Sequence, residues 1–285
     1  MAEVVFDDLP AGGPLLARSL ARIGARPRKV ATLPETRVAV KGHRQDAGRL
    51  ARYDAVCGFT LRDAVPPTWL HVLTFSLQLA LMSRREFPFG LAGLVHVSND
   101  MTLLRSVGLG DALDLSVRAA ELAPHRRGAT FALIGEVRVG KELVWRGSST
   151  YLARGVATDG EAVRPERLDE PDARDSQAWR LPADLGRRYA AVSGDVNPIH
   201  LSPLAARAFG FPRTIVHGMW THARALAALE GRLPPTYRVV VDFTKPILLP
   251  GRVGFAARAR DEGCAFAVRA PNGTPHLLGQ LTPAG

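Results

Sequence analysis

The chain has 285 residues, of which 46% are hydrophobic and 22% are charged. These fractions are ordinary for a globular protein, and they exclude a collagen-like, coiled-coil or largely disordered chain. Only two cysteines occur, Cys57 and Cys264, so a disulfide scaffold is excluded and a reducing, cytoplasmic location is predicted. No stretch reaches the roughly 20 apolar residues of a membrane span, and early acidic residues argue against a signal peptide.

The formal net charge of +10 raises the question of a nucleic-acid partner. The basic residues are nearly all arginine and are spread along the chain, without a dense basic run or a basic strip interleaved with aromatic residues. We therefore expect no nucleic-acid partner. The charge is compatible with an anionic small ligand or an acidic carrier protein.

The first half of the chain predicts one long helix followed by strands. The apolar stretch from Trp69 to Ser83 is helix-compatible. Apolar side chains then alternate from Leu113 to Arg118, which is the period of a half-buried strand. Further strands are predicted over 129–139 and 143–151.

A polar segment divides the chain into two parts of similar size. Residues 155–180 are rich in acidic side chains and have no apolar periodicity, which predicts an exposed linker. The predicted units are therefore residues 1–154, the linker, and residues 181–285.

The second half repeats the order of signals of the first. The segments 53–59 and 189–195 match at Tyr, Ala, Val and Gly with identical spacing. Each precedes a long apolar helix, which in the second half is predicted over Gly218 to Leu229. Strands are then predicted near 240–251, 253–258, 264–270 and 277–281.

One long helix followed by antiparallel-type strands in each half predicts an α+β fold. The simplest packing wraps an antiparallel sheet around each helix. The two halves would pair through edge strands into one continuous sheet, which also covers those edges.

The densest reactive chemistry lies between residues 189 and 222. Asp195 and Asn197 precede a proline in a predicted turn, and His200 follows. His217 and Gly218 begin the long helix. A short helix from Pro203, capped by Ser202 and ending at Gly210, lies between them.

This arrangement predicts a proton-transfer site. A carboxylate and an imidazole can share a water molecule and move a proton. The free N–H groups and positive dipole end of a helix N-terminus suit a developing oxyanion, and Gly218 allows a ligand to approach the backbone closely. No GxSxG nucleophile motif occurs in the sequence.

The string YAAVSGDVNPIH at 189–200 resembles the signature of the MaoC-like, or hydratase-2, enzymes. AFGF at 208–211, IVHGM at 215–219 and the Phe–Pro–Pro–Gly pattern of 243–251 extend the likeness over the second half. These enzymes are (R)-specific enoyl-thioester hydratases and 3-hydroxyacyl-thioester dehydratases. The first half resembles the degenerate partner of double-hotdog members.

The resemblance implies a role for each matching residue. Asp195 and His200 would activate the water that adds to C3 of a trans-2-enoyl thioester, and the backbone N–H of Gly218 would stabilise the thioester oxyanion. Asn197, Ser193 and His217 would support the site. The substrate would be an acyl-CoA or acyl-carrier-protein thioester, and no redox cofactor or metal ion would be needed.

The first half lacks the reactive residues of this motif. Phe59 stands in the place of Asp195, and the segment 62–66, RDAVP, stands in the place of Asn-Pro-Ile-His. We therefore expect one active site per chain, with the first half shaping the acyl pocket. Such a chain is a pseudo-dimer by itself and acts as a monomer or a homodimer.

Other interpretations remain open at this point. A hotdog thioesterase would hydrolyse the same thioester, and a non-catalytic acyl-CoA or acyl-carrier binding subunit would need a partner chain. A metal site from Asp195, His200, His217 and His222 lacks support from HExxH or CxxC spacing. Arg207, Arg213 and Arg224 flank the motif and are candidates for contact with substrate phosphates or simply for solvent exposure.

Overall fold

The computed structural model of the chain describes residues 2–15, 29–91, 93–162 and 167–284. Its strands are β1 (Glu3–Phe6), β2 (Arg37–Arg44), β3 (Leu94–Leu103), β4 (Ala112–His125), β5 (Gly128–Val139), β6 (Glu142–Arg154), β7 (Gln177–Leu181), β8 (Tyr237–Phe243), β9 (Gly251–Arg260), β10 (Gly263–Arg269) and β11 (Pro275–Pro283). Its named helices are α1 (Ala47–Cys57), α2 (Pro67–Met82), α3 (Leu185–Ser193), α4 (Pro198–Leu201), α5 (Pro203–Ala208) and α6 (Gly218–Leu229), with a 3₁₀ turn at Glu230–Arg232.

These strands form one sheet in the order β1-β2-β4-β5-β6-β3-β8-β11-β10-β9-β7. The two halves meet at β3 and β8, which pair antiparallel from Ser98 opposite Asp242 to Leu103 opposite Tyr237. Outward from this joint, the strands of the two halves follow one another in the same spatial order. In the first half, β1 pairs parallel with β2 and forms an additional edge strand. The predicted α+β double hotdog with one continuous sheet is confirmed.

The two long helices lie on this sheet, one in each half. The helix predicted from Trp69 forms as α2, which starts with a proline in the position that tolerates a missing N–H. It packs against the strands β2 to β6 and is buried around most of its circumference. The second predicted helix forms as α6 with the predicted bounds and packs on β10.

The sequence repeat folds into a pair of helices that the apolar pattern does not predict. α1 and α3 both end at a glycine in the left-handed region, Gly58 with φ 81° and Gly194 with φ 78°. This conformation favours glycine, because it has no Cβ to clash. The two helices pack on each other, with the rings of Tyr53 and Tyr189 6.2 Å apart.

The predicted end of the linker at residue 180 is wrong. Residues 177–180 belong to β7, which pairs antiparallel with β9. Trp179 and Leu181 are buried while their neighbours are exposed, so a two-residue alternation is present but too short to stand out in a polar segment. The division of the chain into units at 154 and 181 otherwise stays a prediction.

In the part of the chain that the structure describes, no helix has the length and apolar character needed to cross a membrane.

Three histidines line the core where the two halves join; His71 and His222 are buried, and His96 is partly buried. His71 lies on α2, His96 on β3 and His222 on α6. Burial lowers the pKa of His71 to about 4 and those of His96 and His222 to about 3, and neighbouring histidines add to the effect for His96 and His222. All three are therefore neutral in the native protein near pH 7.

The buried histidines predict a loss of stability in mild acid. Above pH 6.5 they are neutral in both states; below it, the unfolded chain binds protons that the native state excludes, so the free energy of unfolding falls with pH. Each such proton contributes a slope of about 1.4 kcal/mol per pH unit. We expect His222→Leu to reduce the slope between pH 6 and pH 4.5 by about this amount, measured by chemical denaturation. His125→Leu, in a hairpin outside the core, is the control, and equal slopes in both variants would contradict the prediction.

Candidate active site

The candidate site begins where α3 ends. Gly194 turns the chain, and the following N–H of Asp195 donates to Ser193 Oγ at 3.1 Å. Asp195 Oδ1 accepts from the N–H of Asn197 at 3.2 Å. The Asn197 side chain in turn accepts from Ile199 N at 3.4 Å and caps α4. Ser193 and Asn197 thus hold the loop that presents the Asp195 carboxylate.

His200 lies on the short helix α4, and only 9% of it is exposed. Its Nδ1 lies 2.8 Å from the carbonyl oxygen of Ile215. Since a carbonyl oxygen only accepts, Nδ1 carries the proton in this bond. Nε2 of the neutral ring is therefore left with a lone pair, as a general base requires.

His217 stacks on His200, with ring centroids 3.7 Å apart and an angle of 26° between the planes. Its Nε2 donates to the backbone oxygen of Asp195 at 3.0 Å and lies 3.9 Å from Asp195 Oδ2. Its side chain is 2% exposed. His217 therefore joins the start of α6 to the loop of Asp195 and packs against the face of the second imidazole.

Burial shifts the acid and the imidazoles in opposite directions. It raises the pKa of Asp195, although 28% of that side chain is accessible, while His200 and the Asn197 N–H oppose the rise. Burial lowers the pKa of His200, and the charge of Asp195 opposes this fall. The pKa of His217 is lowered furthest, by burial and then by His200.

Gly218 is the first residue of α6, where backbone N–H groups have no partner within the helix. A methyl group built on Gly218 would lie 3.0 Å from ring carbons of Phe243. A side chain at this position would therefore require the Phe243 ring to shift by a few tenths of an ångström. The helix N-terminus, with its positive dipole end, lies beside Asp195 and His200 through the His217 contacts.

Two residues of the first half also reach the site, and sequence reasoning missed both. Arg49 Nε donates to the carbonyl of Val192 at 2.8 Å, and its guanidinium lies near Gly194. Tyr151 of β6 lies close enough to Asp195 for that charge to raise the pKa of Tyr151 further above its burial-raised value. Neither residue belongs to a local motif, and their proximity depends on long-range pairing.

The corresponding place in the first half has a different chemistry. Phe59 follows Gly58 where Asp195 follows Gly194. α2 starts at Pro67 after Pro66, whereas α6 starts at Gly218 after a histidine. Proline has no N–H to donate, so this helix start lacks the donor that Gly218 offers.

Asp195, His200 and His217 each bring a potential metal-ligand atom within 4.8 Å of the others. A metal ion needs the in-plane lone pairs of its histidine ligands to converge at about 2.0–2.1 Å. The near-parallel stack keeps the lone pairs of the two rings in separate planes, and carbonyl oxygens already occupy His200 Nδ1 and His217 Nε2. The geometry therefore does not fit a metal ion held by these three residues.

The remaining candidates lie elsewhere. His222 is fully buried in the core. Arg224 contacts the carbonyl of Gly58 and covers the ring of Trp179, so it has a packing role. Arg207 and Arg213 are exposed on the segment that follows the active-site loop.

Comparisons with known proteins identify the family of the chain. The sequence model of the MaoC like domain matches residues 168–268. The 3-hydroxyacyl-thioester dehydratase X of Mycobacterium tuberculosis is 37% identical over 247 residues, covering 86% of this chain and 88% of the relative. A crystal structure of HtdX from that organism superposes with a TM-score of 0.78 at 35% identity, covering 87% of this chain and all of the other.

A MaoC-like dehydratase from Phytophthora capsici has a TM-score of 0.74 at 17% identity, covering 90% of this chain and 97% of that one; this likeness shows the fold. The chain is thus a double-hotdog protein of the hydro-lyase class. It belongs to the MaoC-like dehydratase family.

The contact between Gly218 and Phe243 predicts a cost for any side chain at the helix start. We expect Gly218→Ala to destabilise the protein by about 1–3 kcal/mol through overpacking, measured by thermal unfolding. Gly231→Ala is the matched control, because a methyl there meets no heavy atom of the described residues within 4 Å. Adding Phe243→Leu should recover part of the loss; equal melting temperatures for the two alanine variants would contradict this packing.

Proposed function

We propose that the chain catalyses the reversible hydration of trans-2-enoyl thioesters to (R)-3-hydroxyacyl thioesters in fatty-acid metabolism. The observation that carries the proposal is a partly buried carboxylate within 4.8 Å of an imidazole whose Nδ1 is bonded to Ile215, next to the N-terminus of α6. The relative from Mycobacterium tuberculosis is named a 3-hydroxyacyl-thioester dehydratase, which supports an acyl thioester as the substrate.

In the proposed reaction, the hydroxyl group of water goes to C3 of the substrate and its proton goes to C2 by way of His200. In hydration, a water molecule between Asp195 and His200 gives one proton to His200 Nε2 while its oxygen bonds to C3. The electron pair of the C2–C3 double bond moves toward the thioester, whose oxygen accepts from the N–H of Gly218. The imidazolium then returns the proton to C2, and dehydration follows the same steps in reverse.

The reaction needs no redox cofactor, because addition of water to a double bond transfers no electrons to or from the enzyme. A proton acceptor, an orienting carboxylate and an oxyanion donor suffice for the step. We therefore propose that CoA or phosphopantetheine enters only as part of the substrate.

The substrate partner is an acyl-CoA or acyl-carrier-protein thioester. We assign contact with its phosphates to Arg207 and Arg213, which are exposed on the segment after His200. The chain supplies both halves of its hotdog pair, so catalysis needs no second copy. The free thiols of Cys57 and Cys264 support a cytoplasmic location.

Loss of either reactive side chain should abolish most hydration. We expect Asp195→Asn and His200→Gln each to lower kcat by about 10²-fold or more while melting temperatures stay close to that of the unaltered protein. The assay follows the ultraviolet absorbance of trans-2-octenoyl-CoA, with free thiol measured in parallel.

Asp63→Asn, in the exposed loop of the first half that corresponds to the active-site loop, is the matched control and should retain activity. Thiol release with the double bond retained would point to a thioesterase instead. Near-normal turnover in the His200 variant would overturn its assignment.

The acidic limb of the pH profile should lie below the ordinary range of an imidazole. Hydration requires ionised Asp195 and neutral His200, so kcat/KM falls as pH falls through the pKa of the pair. Burial lowers the pKa of His200 below 6.5, so its protonation, which ends hydration, occurs below that value, and the raised pKa of Asp195 brings the loss of its charge toward the same limb. A profile of kcat/KM from pH 4.5 to pH 8 measures it, and a midpoint at or above 6.5 is the contrary result.

A further inference from the structure

The three core histidines form a cluster that the proposed reaction does not use. The rings of His71 and His96 lie nearly parallel with centroids 6.3 Å apart. His222 lies near enough to influence the pKa of His96, and His71 lowers the pKa of His222 in turn. One comes from each long helix and one from the strand at the joint of the two halves.

Four ring nitrogens of this cluster are buried and have no hydrogen-bond partner among the described residues. They are His71 Nδ1, His96 Nε2 and both nitrogens of His222. Buried polar atoms are nearly always hydrogen-bonded, because an unpaired one is costly. A neutral imidazole offers one N–H donor and one lone-pair acceptor on opposite sides of the ring, so two of these rings together can donate to and accept from one hydroxyl group.

The cluster lies about one helical turn beyond Gly218, the residue proposed to bind the thioester oxyanion. His222 follows Gly218 by four residues and shares its face of α6, about one turn or 5.4 Å further along the axis. On the sheet side, the Phe243 ring that packs on Gly218 lies 4.9 Å from the ring of His96. The His96 ring stacks on Tyr151, the first-half residue that senses the charge of Asp195, at 4.7 Å.

An acyl chain that runs from a thioester carbonyl at Gly218 in the direction of α6 would cover this rise of about 5.4 Å in about four bonds. An unsubstituted alkyl chain at this place would leave the ring nitrogens without partners. A chain with an oxygen at this place would satisfy at least two of them. The Tyr151 hydroxyl is already committed, since it donates to Gln78 Oε1 at 3.2 Å.

We propose that His71, His96 and His222 form a polar subsite for an oxygen substituent on the acyl chain, so that the preferred substrate is an enoyl or 3-hydroxyacyl thioester that carries a hydroxyl group near C5. The inference rests on the proposed function. It assigns to the first half, through His71 and His96, a part in selecting the acyl chain by hydrogen bonding as well as by shape.

The test compares trans-2-octenoyl-CoA with 5-hydroxy-trans-2-octenoyl-CoA on the full-length protein. A site that hydrogen-bonds a substrate hydroxyl discriminates against the analogue that lacks it, and we expect kcat/KM to favour the hydroxylated substrate by at least about tenfold. His222→Leu removes both nitrogens at similar volume and should bring the ratio to about one. His125→Leu, far from the cluster, should keep the ratio of the unaltered protein.

A second measurement uses only the unaltered protein, so its result does not depend on whether His222→Leu folds. Calorimetric titration of the unaltered protein with octanoyl-CoA and with 5-hydroxyoctanoyl-CoA should give at least about a tenfold tighter Kd for the latter. Equal affinities, equal kcat/KM values, or a ratio that survives in His222→Leu would each overturn the subsite. Hydration of neither enoyl substrate would overturn the proposed function itself, and the subsite with it.

Discussion

The antiparallel pairing of β3 with β8 is the interaction on which the rest of the arrangement depends. It joins the two half-sheets and sets α2 and α6 on one continuous surface. It also places His96 beside Phe243, the ring that packs on the first residue of α6. The start of α6 therefore has one wall from each half, although its reactive side chains come from the second half alone.

The enclosure of the site has an electrostatic consequence for Asp195 and His200. In water, a carboxylic acid and an imidazole differ by about 2.6 pKa units. Burial raises the pKa of the first and lowers that of the second, because it disfavours the charged form of each. The two values approach each other, so a proton shared between the carboxylate and the imidazole moves from one to the other against a smaller difference in free energy.

The sequence predicted what depends on local pattern. α6 has the predicted bounds, because its apolar residues cover most of the helix, and the strands from β4 to β6 follow from alternation. α1 and α3 were missed because their exposed faces carry charged residues that interrupt the apolar period, and β2 and β7 because their pairing is distant. The signature placed Asp195, His200 and Gly218 in one loop region, and the structure brings them together. Arg49 and the three core histidines lie far apart in sequence, so only the fold reveals their proximity.

The unequal starts of the two long helices have an evolutionary consequence. In a homodimer, one substitution alters both copies of a helix, so any change that reshapes the acyl wall also alters the helix that stabilises the oxyanion. Here α2 begins at Pro67 and carries His71, while α6 retains Gly218. Covalent joining lets the first half diverge as an unlike subunit would, without a new surface for subunit recognition. Substrate range can therefore drift under selection while the reaction stays fixed.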